Sequence, residues 1–257
     1  MKQIQLNDLL LWEFEQLGKE LLVKHFVTAR DSNTGAKEFT LSYSSSPDRA
    51  EIKENRHRLA LAMGITESEL YFPSQVHKTR IVHVDRDTPK EALMETDALV
   101  TNQTGICIAV MSADCVPILL VDKKNKVIAA VHSGWRGTVA KILTRTLEEM
   151  NTVYGTTGRD LIAAIGPSVS QESYEVGEEV VQAVDETFGK DSGLLISQPN
   201  NKAKLDLWRA NTIQLLEFGV NPFHIEVSNL CTVKNNDYFF SARKGDTGRF
   251  AAGIMLT

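Results

Sequence analysis

Between residues 96 and 134 the chain runs through four apolar, Val- and Ile-rich stretches with little polar sequence between them: TDALVTN (96–102), GICIAVMSAD (105–114), PILLVD (117–122) and VIAAVHSG (127–134). Short apolar runs bounded by turn residues read as buried strands. Their connections are too short for parallel crossovers, so antiparallel or mixed pairing is expected. Upstream, LLVKHFVTA (21–29) and EFTLSYS (38–44) read as strands around the polar turn DSNTGAK, and QVHKTRIVHV (75–84) alternates like a third. PDRAEIKENRHRLALAMG (47–64) opens on Pro47, closes on Gly64 and sets Ile52, Leu59 and Met63 on one face, which predicts a helix. GTVAKILTRTLEEM (137–150), GEEVVQAVDETFG (177–189) and DLWRANTIQLLEFG (206–219) predict three more. LIAAIGP (161–167), IEVSNLCT (225–232), DYFFSAR (237–243) and FAAGIML (250–256) read as the remaining strands. The sum is an α+β fold of mixed β-sheets layered with α-helices. With no linker, repeat or low-complexity segment, residues 1–257 are read as a single domain.

Composition narrows the class of partner. An apolar content of 42% and a charged content of 24% are those of an ordinary globular protein. A net charge of -5 argues against a nucleic-acid-binding face, which would be basic. The N-terminal stretch is broken by Asp8, Glu13 and Glu15 and lacks a signal-peptide pattern. No apolar run is long enough to span a membrane. Three cysteines, an odd count without a secretion signal, read as free thiols in a cytoplasmic compartment. Nothing in the sequence fixes an oligomeric state.

Candidate chemistry gathers at three places read as strand ends: His77 in SQVHK, Asp114 and Cys115 in MSADCVP, and His132 in VHSGWRG. The last is the most telling, because a buried strand delivers a histidine to a glycine turn with no simple packing reason. Two imidazoles and a thiolate favour Zn2+, and three protein ligands with an open position make the catalytic form of a zinc site. A lone buried cysteine is usually a small hydrophobe, and Cys107 and Cys231 are read so. Arginine is the side chain for bidentate capture of phosphate. Arg30 ends the first strand, Arg56 and Arg58 sit in ENRHRL, and Arg136 lies in the glycine turn. SARKGDTGR (241–249) reads as an anion-binding loop or a plain surface turn.

ENRHRL, SQVH, TDALVTN, MSADCVPILL, AAVHSGWRG, IGPSVSQESYEVGEEV and a closing NLCT…FFSARKGDTGR occur in this order. Together they closely resemble the YfiH or laccase-domain family, also called polyphenol oxidase-like. The resemblance covers the chain from about residue 20 onward. It implies zinc held by His77, Cys115 and His132. It implies phosphorolysis of adenosine, inosine, guanosine and methylthioadenosine, and deamination of adenosine, with purine nucleosides and inorganic phosphate as partners. It makes Arg56 and Arg30 candidate phosphate or substrate contacts. Asp114 is the nearest carboxylate in sequence that could shuttle a proton in deamination, provided the chain turns there. Departures fall where the family commonly has a glycine-rich stretch and then SLNLG, here DSNTG and TLSYSSS, so that Ser42 replaces the usual asparagine, and in SARKGDTGR, which is short.

Three rival readings remain. A copper oxidase fits poorly, since the six histidines include no His-x-His pair. A cysteine hydrolase would use Cys115 as nucleophile, His132 or His77 as base and Asp114 as orienter. A structural zinc module would need a fourth protein ligand, and none is evident.

Overall fold

Two six-stranded sheets stack face to face, and helices cover the outer side of each. The computed structural model describes residues 1–30, 38–44 and 48–257. The first sheet runs, in spatial order, β1 (Lys2–Leu6), β2 (Leu9–Glu13), β3 (Val23–Thr28), β15 (Phe250–Leu256), β7 (Cys107–Ser112) and β4 (Leu70–Tyr71). The second runs β14 (Ile225–Val227), β10 (Leu161–Ile165), β8 (Val116–Asp122), β9 (Val127–Ser133), β6 (Ala98–Thr101) and β5 (Ile81–His83). A small third sheet holds β11 (Glu175–Val176), β13 (Lys202–Leu205) and β12 (Leu195–Gln198). The α+β reading of mixed sheets layered with helices stands.

The layers follow from the two-residue period of a strand. Ile108 and Val110 of β7 meet Leu119, Val121, Ile128 and Ala130 of β8 and β9 between the sheets. Their neighbours Cys107 and Ala109 face the outer side of the first sheet, where Leu59, Ala60 and Met63 of α1 (Arg49–Met63) cover them. Val116, Ile118 and Leu120 turn the other way, with Val127, Ala129 and Val131. That face packs against α3 (Ile142–Tyr154), α4 (Glu178–Phe188) and α5 (Leu207–Glu217). All seven residues of both β8 and β9 are buried, which is why they read as continuous apolar runs.

Several expectations are corrected. The runs 105–114 and 117–122, although nearly contiguous, are not neighbours in one sheet: β7 belongs to the first and β8 to the second, and Ala113–Cys115 is the crossing. EFTLSYS forms no strand; Phe39 and Leu41 bond irregularly to Arg30 and Arg249 and bury their side chains. DYFFSAR is a series of turns that still drives Phe239 and Phe240 into the core. The strand expected over 75–84 shrinks to β5. The helix expected over 137–150 is two, α2 (Trp135–Val139) and α3, broken where Lys141 takes a left-handed conformation. The helix opened by Pro47 begins at Arg49, with Asp48 accepting from the Ala50 and Glu51 amides; Pro47 and the turn DSNTGAK lie outside the described residues. No helix among the described residues is long and apolar enough to cross a membrane.

Candidate metal and anion site

Asp97, Cys115 and His132 share the strand parity of the inter-sheet face at one end of the second sheet. The register continues past β6, where the His132 amide donates to the Asp97 carbonyl at 2.8 Å. Cys115 stands just before β8, beside the paired positions Pro117 and His132. His77 is not at a strand end. It lies in the loop before β5, with a positive φ of 61°. The residue before Cys115, Asp114, is likewise left-handed, at 88°. One of the three donors and the neighbour of another are thus held in a conformation that non-glycine residues seldom adopt.

The donor atoms of His77, Cys115 and His132 all lie within 4.8 Å of one another, and this is the one group of three or more such side chains among the described residues that could hold a metal ion. The His77 and His132 rings meet edge to face at 4.9 Å. Gly134 explains part of the glycine turn: a Cβ there would come within 2.8 Å of the Cys115 sulfur and 3.1 Å of the His77 ring. Burial pushes the Cys115 thiol up, but the imidazoles of His132 and His77 outweigh it and hold it near 6, at about 6 against an ordinary 9.0. Burial draws His132 down, but Cys115 and Asp97 outweigh it and raise the imidazole to about 9. The two groups thus draw each other toward thiolate and imidazolium, the direction that a metal-ligating or nucleophilic sulfur requires.

The aspartate that orders this cluster, Asp97, escaped the sequence reading. Its carboxylate is fully buried and accepts from His132 Nδ1 at 2.8 Å and from the amides of Val76, His77 and Lys78 at 3.2, 3.0 and 2.8 Å. Burial pushes its pKa up, but the His132 and backbone donors more than offset this and hold it below the usual range. An aspartate set immediately before a buried run in TDALVTN was the available signal. Gln75 also escaped notice. Its amide pairs with both backbone groups of Met111, each at 2.8 Å, and so ties the His77 loop to β7.

The cluster opens onto a cavity of about 710 Å³, within the range of small-molecule sites. Ser42, Arg56 and Asp114 line it, together with Lys90, Arg243 and Arg249. Arg56 donates through Nε to the Leu41 carbonyl at 2.9 Å and lies between the rings of Tyr43 and Phe72, at 4.4 and 4.5 Å. Burial draws its pKa down from the ordinary value. Lys90 is drawn down to about 8 by burial and then by Arg56. Arg243 and Arg249 belong to SARKGDTGR, so that segment is a cavity wall rather than a plain turn.

Other candidates are placed elsewhere. Arg30 does not line the cavity: its guanidinium is taken up by Glu38, by Asp246 at 3.1 Å and by the Asn236 carbonyl at 3.2 Å. Arg136 is exposed on α2, stacked on Trp135 at 4.3 Å, and is not a cavity residue. Arg58 pairs with Asp8 on the surface. Asp114 does reach the cavity, because the chain turns there. Its two oxygens accept from Thr232 Oγ1 at 2.6 Å and the Arg243 amide at 2.8 Å.

Comparison with known proteins identifies the family. Residues 24–257 match the family model described as "Multi-copper polyphenol oxidoreductase laccase". A protein named purine nucleoside phosphorylase from Bacteroides thetaiotaomicron is 38% identical, over 95% of each chain. A protein named adenosine deaminase RL5, from an unknown prokaryotic organism, is 37% identical over 80% of this chain and 82% of its own. Among solved structures, YlmD from Geobacillus stearothermophilus superposes with a TM-score of 0.89 at 28% identity, over 99% of this chain and 98% of that one. The chain belongs to the multi-copper polyphenol oxidoreductase laccase family, whose curated relatives here carry the names of nucleoside-processing enzymes.

Proposed function

We propose that the protein is a zinc-dependent enzyme of purine nucleosides. It phosphorolyses adenosine, inosine, guanosine and methylthioadenosine to the free base and (methylthio)ribose 1-phosphate, and hydrolytically deaminates adenosine to inosine. One observation carries the reading: a His–Cys–His cluster and three arginines open onto the same cavity. His77, Cys115 and His132 would hold the zinc, a donor set that suits it, and zinc so held supplies Lewis-acid polarisation and lowers the pKa of water. Six histidines without a His-x-His pair do not suit a multicopper cluster.

The chain's own groups divide the remaining work. In phosphorolysis a phosphate oxygen forms a bond to C1′ as the bond from C1′ to the purine nitrogen breaks, and the base leaves with that electron pair and takes up a proton. Arg56, Arg243 and Arg249 bind and aim the phosphate, a positioning effect of several kcal/mol. Ser42, on the same wall, contacts the substrate. In deamination the oxygen of water adds at C6 and ammonia leaves. Asp114 works as a positioning residue, because its carboxylate holds the Arg243 amide at the cavity edge. Three free cysteines support the cytoplasmic assignment.

A second reading draws on the Asp97–His132–Cys115 arrangement, in which a thiolate faces an imidazole oriented by a carboxylate. That is the layout of a metal-independent cysteine hydrolase. The deciding experiment is to purify the protein without added metal, quantify zinc, and incubate it with adenosine with and without phosphate. Near-stoichiometric zinc, inosine formed regardless of phosphate, and adenine with ribose 1-phosphate formed only with it are the expected results. Absence of zinc, with rapid alkylation of Cys115 by iodoacetamide, would favour the hydrolase.

A further inference from the structure

We propose that Asp97 is a positioning residue that fixes both histidines of the cluster at once, so that the three donors are preorganised before any metal arrives. The zinc arm of its test rests on the metal reading above; the rest does not. Four donors converge on this one carboxylate. Oδ1 accepts from His132 Nδ1 and from the His77 amide, and Oδ2 accepts from the Val76 and Lys78 amides. A carboxylate is acceptor-only, with about four lone-pair sites, so its capacity is filled. The bond to Nδ1 leaves Nε2 of His132 as the ligating nitrogen and sets the plane of the ring. The three amides belong to consecutive residues and hold His77 in its left-handed conformation. Such a backbone is retained only where its surroundings impose it. A strand-borne histidine and a loop-borne histidine, distant in sequence, thus take their geometry from one buried side chain.

Asp97→Asn tests this. The shape is kept, but one acceptor oxygen becomes an NH2 donor. Turned one way, that donor faces the Val76 and Lys78 amides; turned the other, it opposes the His77 amide and drives His132 to the tautomer that accepts at Nδ1. Asp122→Asn is the control. Asp122 is an equally buried carboxylate at the other end of the β8–β9 hairpin, where it accepts from the Lys124 and Asn125 amides. Zinc affinity, read by chelator competition with zinc as the sole metal, is expected to fall about 10–100-fold in Asp97→Asn and to stay near wild type in Asp122→Asn. Near-wild-type affinity in Asp97→Asn, or an equal fall in both variants, overturns the proposal.

Amide hydrogen exchange on metal-free wild type needs no variant and decides the matter if Asp97→Asn fails to fold. Retained protection at His77 and Lys78 supports the proposal. Protection that appears only when zinc is added shows that the metal orders the loop, and overturns it. A wild-type protein that binds no zinc would end the metal reading of the previous section, and the exchange result alone would then decide the role of Asp97.

Discussion

The two walls of the cavity are built on opposite plans. The candidate metal wall takes two of its three donors from strand ends: Cys115 and His132 share one face at the end of a fully paired, fully buried hairpin, and His77 comes from a loop. The cationic wall is assembled mostly from irregular pieces. Arg56 leans out of α1, Lys90 and Arg243 sit in short 3-10 turns, and Arg249 stands just before β15. Sites on regular elements hold their geometry more closely than sites on loops. Of the departures from the family pattern, Ser42 and SARKGDTGR fall on the cationic wall, while DSNTG lies outside the described residues. The donors that would do the chemistry therefore rest mainly on strand ends, and the groups that would meet the substrate rest on less regular backbone.

Substitutions can break that division. Cys115→Ala removes a ligand and is expected to lower both reactions by about a thousandfold, since a bound metal contributes several kcal/mol; product chromatography reads both at once. Arg56→Met acts on the other wall. Loss of a charge-assisted bond to phosphate, about 1.5–3 kcal/mol, predicts phosphorolysis down by roughly 10–100-fold with deamination nearly unchanged. Equal losses in both reactions would mean the walls do not divide the work as described.

The frame beneath both walls has its own pH dependence. His25 on β3 is buried, and its Nε2 accepts from the Phe14 amide at 2.9 Å. Burial lowers its pKa from 6.5 to about 4. The unfolded chain therefore takes the proton first as pH falls. The stability contributed by neutral His25 is present above pH 6.5 and is lost as pH falls toward 4. About 2 kcal/mol of it should be gone by about pH 5. Denaturant melts across this range should show the loss in wild type and not in His25→Gln. The smallest effect sharpens the metal wall alone. Gly134→Ala sets a methyl against the Cys115 sulfur and should weaken zinc binding by about tenfold, read by chelator competition.

The metal wall was legible in the sequence because buried strands announce themselves. Val, Ile and Ala in unbroken runs can be little else, and His132 and Cys115 stand at their ends. His77 was found by its motif but placed on the wrong element, since alternation in QVHKTRIVHV continues through residues that are held by Asp97 and Gln75 rather than by a strand ladder. EFTLSYS and DYFFSAR failed for a related reason. Their apolar side chains are buried as the pattern implies, yet their backbone groups bond to loops. The break at Lys141 was hidden because Thr138 before it and Ile142 and Leu143 after it are all buried. Arg30 and Arg136 show the opposite limit: residue type suggested phosphate, and only their neighbours reveal an ion pair and a stacked surface ring.

Cys115 sits on the crossing between the sheets, at the open end of a local hairpin, and this sets an order of assembly. The β8–β9 hairpin closes over a few residues and forms in microseconds, whereas β3 meets β15 across a separation of 223 residues at Thr28 and Ala251. Pairing over such a distance is the slow part of folding. A refolding chain therefore brings Cys115 and His132 together before the wall that carries Arg243 and Arg249 has formed.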